Sequence, residues 1–186
     1  GAIGQMMEKV EMSEQKPRWT DEEIKKNSPW ACTGKTNDRK QNIITSLALD
    51  AAVHEKLNER LQAKYKKMEE EDVLFDSYMT EDAEHLLVAY GSMSRICQSV
   101  VETARENGIK LGLLRPITLF PFANKEIDRL VPQLKSIMSV ELSAGQMVED
   151  VRLVVNGRIP VNFYGRLGGI VPSPEEVYEA FVKSIK

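Results

Sequence analysis

Short apolar runs alternate with amphipathic stretches over the C-terminal part of the chain. Residues 86–90 form a near-continuous apolar run, which is typical of a strand covered on both faces. The same pattern predicts further strands at 109–114, 137–140 and 161–164, and helices between them at 94–107, 124–131 and 145–155. Because strand and helix alternate along the chain, we expect an α/β fold with a mostly parallel sheet and helices on both faces, a three-layer α/β/α sandwich.

Cap signals mark the ends of several of these elements. Residues 173–176 read Ser-Pro-Glu-Glu, a capping box with proline at the first helical position, so a last helix should follow. Gly108 lies where glycine commonly ends a helix. Asn124 is suited to cap the short second helix, and Arg115-Pro116 is expected to end the second strand.

Residues 1–75 carry a different pattern, which predicts a connector or extension ahead of the α/β domain at 76–186. Apolar side chains recur every four residues from Val53 to Tyr65, so a long helix is expected at about 46–71. Its apolar stripe must be covered by another surface. The helix either packs on the rest of this chain or docks on another protein.

The first 45 residues have little to bury by themselves. Thr20 followed by three acidic residues predicts a short capped helix. Trp19 and Trp30 lie among polar residues, so this stretch is either a poorly ordered linker or an extension that packs on another domain or partner. The chain begins with Gly1 rather than methionine, which favours a processed or excised piece of a longer protein.

The overall composition is globular, with 186 residues of which 42% are hydrophobic and 28% charged. A net charge of -3 gives no support to nucleic-acid or anionic-membrane binding, which usually requires a basic surface. No apolar run reaches the roughly 20 residues of a membrane span. We expect no signal peptide, because the N-terminus lacks a basic segment followed by an apolar one.

The chain has two cysteines and two histidines, and they are far apart in sequence. Cys97 falls within a predicted amphipathic helix, where a buried free thiol is usual. A disulfide with Cys32 is therefore disfavoured, and a reducing, cytoplasmic setting is favoured. His54 and His85 lack Cys or His neighbours at ligand spacing. We therefore expect no zinc or iron–sulfur site built from this chain alone.

The sequence contains no dinucleotide-binding glycine motif, Walker loop or serine-nucleophile elbow, and no catalytic residue set can be assembled from it. The residues that could still contact a ligand or another subunit lie at predicted strand ends, where α/β domains place such sites. These candidates are Gly91, Ser92, Arg115, Gly145, Gln146, Gly165, Arg166, Gly168 and Gly169.

Each candidate also has a plain structural explanation. The turn at 165–169 could need only positive φ, or its N–H groups and its arginine could meet a phosphate, a carboxylate or another subunit. Gly91-Ser92 could be a tight turn with a serine cap, and Arg115 could be a ligand clamp or the partner of a nearby carboxylate. Glu141, a lone carboxylate after the third strand, could be an acid–base group, although nothing pairs with it in sequence.

Four segments, in order along the chain, have sequences more specific than these patterns require. They are Val88-Ala89-Tyr90-Gly91-Ser92, the run GIKLGLLRPITLFPF from Gly108 to Phe122, Val140-Glu141-Leu142-Ser143 with Gly145-Gln146-Met147, and YGRLGG from Tyr164 to Gly169. Together they resemble the alpha subunit of 2-oxoacid:ferredoxin oxidoreductases, most closely the branched-chain type that acts on 2-oxoisovalerate (3-methyl-2-oxobutanoate). The resemblance spans essentially residues 1–186.

The resemblance implies a fragment: the transketolase-C-terminal-like domain of that subunit, with the connector from a preceding pyrimidine-type thiamine-diphosphate domain. Gly4-Gln5-Met6-Met7 resembles the exit from that first domain. The whole enzyme implied by the resemblance uses thiamine diphosphate, Mg2+, and iron–sulfur clusters on other subunits or domains. It converts a 2-oxoacid and coenzyme A into acyl-CoA and CO2 and reduces ferredoxin.

On this hypothesis the chain is a non-catalytic domain that binds no cofactor itself. It organises contacts with the other subunits and with the missing pyrimidine domain, and shapes access to the active site. The alternative is a stand-alone α/β module that binds a small anion, such as a phosphate of coenzyme A, through helix N-termini and Arg166. Turnover by the chain alone would contradict the first hypothesis, and binding of coenzyme A by it would favour the second.

Overall fold

The computed structural model describes residues 9, 11–12, 14, 19–31, 34, 40–43 and 47–186. The chain divides into two compact units, one formed by Lys9–Ala63 and the other containing Lys64–Lys186. The domain boundary expected near residue 75 stays a prediction. The predictions made for residues 4–7 and for Cys32 lie outside the described residues.

Among its described residues, the unit Lys9–Ala63 contains two helices wholly or in part. They are α1 (Asp21–Asn27) and α2 (Ala51–Glu71). The predicted cap of α1 is confirmed, because the N–H of Glu23 donates to Thr20 Oγ1 (3.3 Å) and the N–H of Thr20 donates to Glu23 Oε2 (2.8 Å).

The long helix α2 begins at Ala51, five residues after the predicted start at about residue 46. Asp50 sets this start, because its Oδ1 accepts a hydrogen bond from the N–H of Val53 (3.0 Å). Leu57, Leu61 and Met68 of the stripe are half-buried, and no residue of α2 is fully buried. Among the described residues, no helix is both long enough and apolar enough to cross a membrane.

The unit Lys64–Lys186 is built on a five-stranded sheet. Its strands are β1 (Phe75–Tyr78), β2 (His85–Val88), β3 (Leu111–Pro116), β4 (Ser136–Glu141) and β5 (Val161–Gly165). Its helices after α2 are α3 (Gly91–Glu106), α4 (Asn124–Leu130) with a following 3-10 turn (Val131–Gln133), α5 (Met147–Val155) and α6 (Pro174–Ser184). The strand order is β1-β3-β2-β4-β5, with β1 antiparallel to β3 and all other pairs parallel.

Helices cover both faces of this sheet, which confirms the three-layer α/β/α sandwich. Leu86 and Leu87 are neighbours on the central strand β2, point to opposite faces and are both fully buried. Leu86 belongs to the core that includes Val151 of α5, and Leu87 to the core that includes Phe181 of α6. Burial of one leucine contributes roughly 1.5–3 kcal/mol, so a strand that is apolar on both sides stabilises both layers.

The edge strand β1 is absent from the sequence prediction. Three of its four residues are exposed, and Asp76 and Ser77 break the apolar pattern. The strand exists because it pairs with β3, where Phe75 lies opposite Pro116. That pairing also carries β3 through Arg115 to Pro116, so the prediction that the strand stops before these residues is wrong.

The remaining cap predictions have mixed outcomes. Helix α3 begins at Gly91 with Tyr90 as its N-cap and no side-chain cap, and Ala123 rather than Asn124 is the N-cap of α4, so both predicted caps are wrong. The capping box before α6 is confirmed, with the N–H of Glu176 donating to Ser173 Oγ (3.3 Å).

Candidate functional site

The candidate loops lie at one edge of the sheet, where the four parallel strands end. Strands β2 and β4 are neighbours, yet the chain leaves β2 into α3 on one face and leaves β4 into α5 on the other. Such a switch point opens a crevice at the carboxyl ends of the strands, where open α/β sheets commonly bind ligands or partners. We call this edge, formed by residues 89–92, 141–147 and 165–170, the carboxyl edge.

Glu141 is the buried centre of the carboxyl edge. It is the last residue of β4, and only 1% of its surface is exposed. Its Oε2 accepts from Ser143 Oγ (2.9 Å), the N–H of Gln146 (3.0 Å) and the N–H of Met147 (3.1 Å). Its Oε1 accepts from Ser139 Oγ (3.0 Å) and from the N–H of Val148 (2.9 Å).

This carboxylate replaces the missing side-chain cap of helix α5, whose own N-cap, Gln146, makes no side-chain cap hydrogen bond. Three N–H groups at the start of the helix are satisfied by one buried anion, which the helix dipole also favours. Burial by itself would raise the pKa of Glu141. The backbone and serine donors outweigh burial and hold that pKa below its ordinary value. Because both oxygens are occupied by donors, Glu141 acts as an anchor for the loop and helix rather than as an available acid–base group.

The end of β5 packs directly against the loop that Glu141 organises. A Cβ on Gly165 would lie 2.4 Å from the carbonyl oxygen of Ser143 and 2.5 Å from Cζ of Phe163. Gly145, with φ 108°, lets the same loop turn beside Phe163. Gly165 is therefore required by a close approach between two elements, and not by the positive φ that the turn pattern suggests.

The glycine turn after β5 is tied back to the body of the domain. The N–H of Arg166 donates to the carbonyl oxygen of Glu141 (3.1 Å), and its Nη1 lies 2.9 Å from Glu176 Oε1 on helix α6. Gly168 and Gly169 have φ of 64° and 81° and open space where a Cβ would be. The turn thus needs glycine for its backbone, and the arginine that it carries is engaged in an ion pair.

Arg115 lies near the carboxyl end of β3, beside the end of β2, and forms an ion pair with a residue of the neighbouring strand β1. Its Nη1 is 3.1 Å from Asp76 Oδ2, and the two residues are direct partners in the β1–β3 ladder. A cleft of about 330 Å³ beside them is also lined by Ser94, Arg95 and Gln98 of α3. The structure therefore places Arg115 close to the start of α3, where it could contact a ligand. It also shows that Asp76 is the nearby carboxylate with which Arg115 pairs.

Gly91 and Ser92 form the first turn of α3 rather than a turn ahead of it. The buried Ser94 donates through Oγ to the carbonyl oxygen of Gly91 (2.7 Å). Gly91 has φ 57°, which lets the chain turn sharply from β2 into the helix. These residues shape the β2 side of the switch point.

Sequence reasoning missed the partners of three candidate residues. The sequence analysis offers Glu141 only as an acid–base candidate, although a glutamate followed by Ser143 and Gly145 immediately before a helix is a signal for an anchoring role. Asp76 and Glu176, the partners of Arg115 and Arg166, carry no local signal of their pairing.

No metal-ligand cluster is formed by the described part of the chain. Nowhere in it do three or more His, Cys, Asp or Glu side chains converge as a metal would require. Cys97 is a free, buried thiol, and its burial raises its pKa well above the ordinary value. The described residues therefore do not fit an iron–sulfur cluster, which needs several thiolates.

Comparison with known proteins decides the family. Residues 83–177, just over half of the chain, match the family described as pyruvate:ferredoxin oxidoreductase core domain II. The chain belongs to this family. The match confirms the resemblance to 2-oxoacid:ferredoxin oxidoreductases, and the four parallel strands, Glu141 and the carboxyl edge lie within the matched residues.

Members of related enzymes are similar over most of the chain. The ketoisovalerate oxidoreductase subunit VorB of Methanothermobacter marburgensis is 43% identical over 167 residues, which cover 90% of this chain and 46% of that protein. VorB of Methanothermobacter thermautotrophicus is 41% identical over 177 residues, covering 95% and 48%. The chain spans about half the length of these curated relatives.

Solved structures share the fold at low sequence identity. A 2-oxoglutarate:ferredoxin oxidoreductase from Magnetococcus marinus superposes with a TM-score of 0.69 at 18% identity, over 81% of this chain and 28% of that one. A split-gene transketolase superposes with a TM-score of 0.51 at 16% identity, over 59% and 41%. The transketolase-like α/β fold is thereby confirmed.

Proposed function

We propose that this chain is the non-catalytic core domain II of the alpha subunit of a thiamine-diphosphate-dependent 2-oxoacid:ferredoxin oxidoreductase, with a branched-chain 2-oxoacid such as 2-oxoisovalerate as the substrate. The observation that carries the proposal is the similarity to two VorB subunits over 90% and 95% of the chain. In the enzyme proposed, a 2-oxoacid and coenzyme A give acyl-CoA and CO2, and ferredoxin is reduced.

The cofactors of this enzyme belong, in the proposal, to other parts of the assembly. The described residues offer no cluster of metal ligands, and the whole sequence has only two cysteines. Thiamine diphosphate, Mg2+ and the iron–sulfur clusters would therefore be held by the pyrimidine domain and by other subunits. Ferredoxin would meet the whole complex, and a cytoplasmic setting accords with the free thiol of Cys97.

The domain's own contribution is to present the carboxyl edge as a fixed contact surface. Glu141 holds the loop 141–147 in place, and the close packing at Gly165 together with the ion pair of Arg166 with Glu176 holds the turn 165–170. Loops held in this way lose little conformational entropy when a partner binds. We propose that they contact other subunits and shape the route to the active site, with Gln146, Gly168 and Gly169 at the contact.

The test is dye-linked oxidation of 2-oxoisovalerate in the presence of coenzyme A. We expect no viologen reduction by the 186-residue chain and full activity from the assembled enzyme that contains the complete alpha subunit. In that assembly, Arg166→Ala should lower the rate at least about tenfold by displacing the glycine turn, while the urea midpoint of unfolding should stay close to that of wild type because the ion pair is partly exposed.

Arg152→Ala is the matched control, because Arg152 also forms an ion pair, with Glu149 (2.6 Å), but lies outside the carboxyl edge on helix α5. It should leave the rate within about twofold. Turnover by the chain alone would refute the proposed non-catalytic role. Equal rates for Arg166→Ala and Arg152→Ala would show that the glycine turn has no part in the proposed function.

Binding of a small anion is a second candidate function, and the cleft beside Arg115 favours it. The cleft offers Arg95, Arg115 and Ser94, groups suited to a phosphate or carboxylate. Asp76 already pairs with Arg115 and would compete with an incoming anion. Calorimetric titration of the chain with coenzyme A decides: micromolar binding lost in Arg115→Ala supports this function, and no binding excludes coenzyme A as the ligand.

A further inference from the structure

The segment that joins β5 to helix α6 contains a short, fully exposed loop. We call residues 167–171 the α6 entry loop, and all five of them are exposed. Three are large apolar residues, Leu167, Ile170 and Val171, with 58%, 51% and 43% of their surface exposed. Because the loop itself buries so little, its position depends on contacts at its two ends.

A single carboxylate contacts the chain on both sides of this loop. Glu176 Oε1 accepts a hydrogen bond from Nη1 of Arg166, the residue immediately before the loop (2.9 Å). Glu176 Oε2 accepts from the N–H of Ser173, two residues after the loop (2.8 Å). The two oxygens belong to one rigid planar group, so the contacts fix the two ends of the loop relative to each other. We call this arrangement the Glu176 clasp.

Both ends of the Glu176 clasp are tied to the body of the domain. At one end, the N–H of Arg166 donates to the carbonyl oxygen of the buried Glu141 (3.1 Å). At the other end, Ser173 is the N-cap of α6, a helix that buries Phe181 in the core. The clasp therefore connects the end of β4 with the start of α6, and the α6 entry loop lies between these fixed points.

Helix capping alone does not account for both contacts of Glu176. A capping box is complete once the Glu176 side chain accepts from the N–H of Ser173 and Ser173 Oγ accepts from the N–H of Glu176. The second contact, with Arg166, is not needed to start the helix. The side chains of this pair are 32% and 46% exposed, so it contributes little to global stability. Its main effect is to restrict the α6 entry loop.

We propose that Glu176 is a positioning residue of the assembled oxidoreductase. It acts through Arg166 and holds the α6 entry loop in one orientation at the carboxyl edge, the surface proposed above to contact other subunits. This inference rests on the proposed function. A loop that is ordered in advance loses less conformational entropy when it meets a partner. Release of the clasp should therefore slow the reaction of the assembly and leave the domain folded.

The first measurement is hydrogen exchange in the assembled enzyme, with the complete alpha subunit present. Glu176→Ala removes both contacts of the clasp. Glu179→Ala is the matched control, because Glu179 is an exposed glutamate one turn further along the same helix. We expect the amides of residues 168–171 to exchange at least about tenfold faster in Glu176→Ala and within about twofold of wild type in the control. The amides of residues 95–104 in α3 should keep their rates in both variants, which excludes a general loosening of the domain.

The second measurement is a double-mutant cycle on the rate of dye-linked 2-oxoisovalerate oxidation by the same assembly. Glu176→Ala should lower this rate at least about fivefold, whereas Glu179→Ala should leave it within about twofold of wild type. Because Glu176 is proposed to act through Arg166, the two losses should not multiply. The variant that combines Arg166→Ala with Glu176→Ala should be within about twofold of the slower single variant.

Each possible result bears on one part of the proposal. Unchanged exchange of residues 168–171 in Glu176→Ala, or an equal increase in Glu179→Ala, would overturn the clasp. Faster exchange of the loop together with a wild-type rate would overturn the positioning role, and losses that multiply would contradict action through Arg166. An assembly of unaltered sequence with no 2-oxoacid turnover would refute the proposed function, while hydrogen exchange still decides whether the clasp holds the loop.

Discussion

At the scale of single residues, Glu141 shows how one buried carboxylate can organise a loop. Its two oxygens receive five hydrogen bonds from the serines and N–H groups around the start of α5. Hydrogen bonds to a charged acceptor are worth more than neutral ones, and a buried donor left without a partner is costly. The position of the β4–α5 loop therefore depends on the charge as well as on the shape of this side chain.

Glu141→Gln should destabilise the domain by about 3 kcal/mol, because the amide NH2 would face N–H donors that now bond to an oxygen. Urea denaturation followed by circular dichroism measures the change. Glu149→Gln is the control, since Glu149 lies in the first turn of the same helix but is largely exposed and pairs with Arg152. It should change stability by less than about 0.5 kcal/mol. Equal losses in the two variants would show that Glu141 is not the anchor.

The same carboxylate predicts a pH dependence. The pKa of Glu141 is lower in the folded protein than its ordinary value of 4.5, so the ionised form stabilises the fold. That contribution is complete above about pH 4.5 and is lost as the pH falls through the lower, folded-state pKa. The stability difference between wild type and Glu141→Gln should therefore shrink below about pH 4.5, and a difference that grew in acid would contradict this sign.

At the scale of secondary-structure elements, the short distance between β5 and the β4–α5 loop is possible because Gly165 has no side chain. Glu141 and Gly165 are partners in the β4–β5 ladder, and the loop passes back over Gly165 at the distance of a close contact. A carbonyl oxygen on that loop leaves no room for a Cβ. The two elements can therefore pack this closely only around a glycine.

Gly165→Ala should cost about 3 kcal/mol and shift the loop, because the new methyl group would overlap Ser143 and Phe163. The free energy of unfolding and the amide chemical shifts of residues 142–147 report the two effects. Gly157→Ala is the matched control: its φ of 74° strains an alanine, but nothing lies within 4 Å of the added carbon. We expect a cost of about 1 kcal/mol there and unchanged loop shifts. A cost at Gly165 no greater than at Gly157 would refute the close-approach argument.

At the scale of the whole molecule, the described helices differ in how much they bury. Helix α3 buries six residues between the sheet and α6, whereas α2 buries none. The apolar periodicity thus predicted the helix α2 correctly, but the apolar face of this helix is not buried in the core. Local stability follows burial, so the two helices should open with different free energies.

Hydrogen exchange checks this directly. In the 186-residue chain we expect the amides of residues 51–63 to exchange roughly 100-fold faster than those of residues 95–104, because opening α2 exposes little apolar surface. Protection of α2 equal to that of α3 would mean that a further surface covers the stripe.

Local periodicity and cap chemistry predicted much of the fold. Short-range patterns predicted the apolar run of β2, the buried faces of α3 and α5 and the capping box of α6. They could do so because the spacing of apolar residues along a helix or strand determines which face they occupy. The family was also evident from four segments that lie mostly in the sheet and its carboxyl edge.

Only the tertiary structure decided which distant groups meet. The strand β1 has no apolar pattern and forms because β3 offers it a pairing edge. Arg115 pairs with Asp76, which lies 39 residues away in the sequence, because the antiparallel β1–β3 ladder places the two residues opposite each other. Spacing along a chain reports burial within one element, whereas partners across elements depend on topology, which no local pattern contains. The sequence by itself therefore determined the layers, the family and most helix faces, and the folded sheet determined the anchoring role of Glu141 and the ion pairs of Arg115 and Arg166.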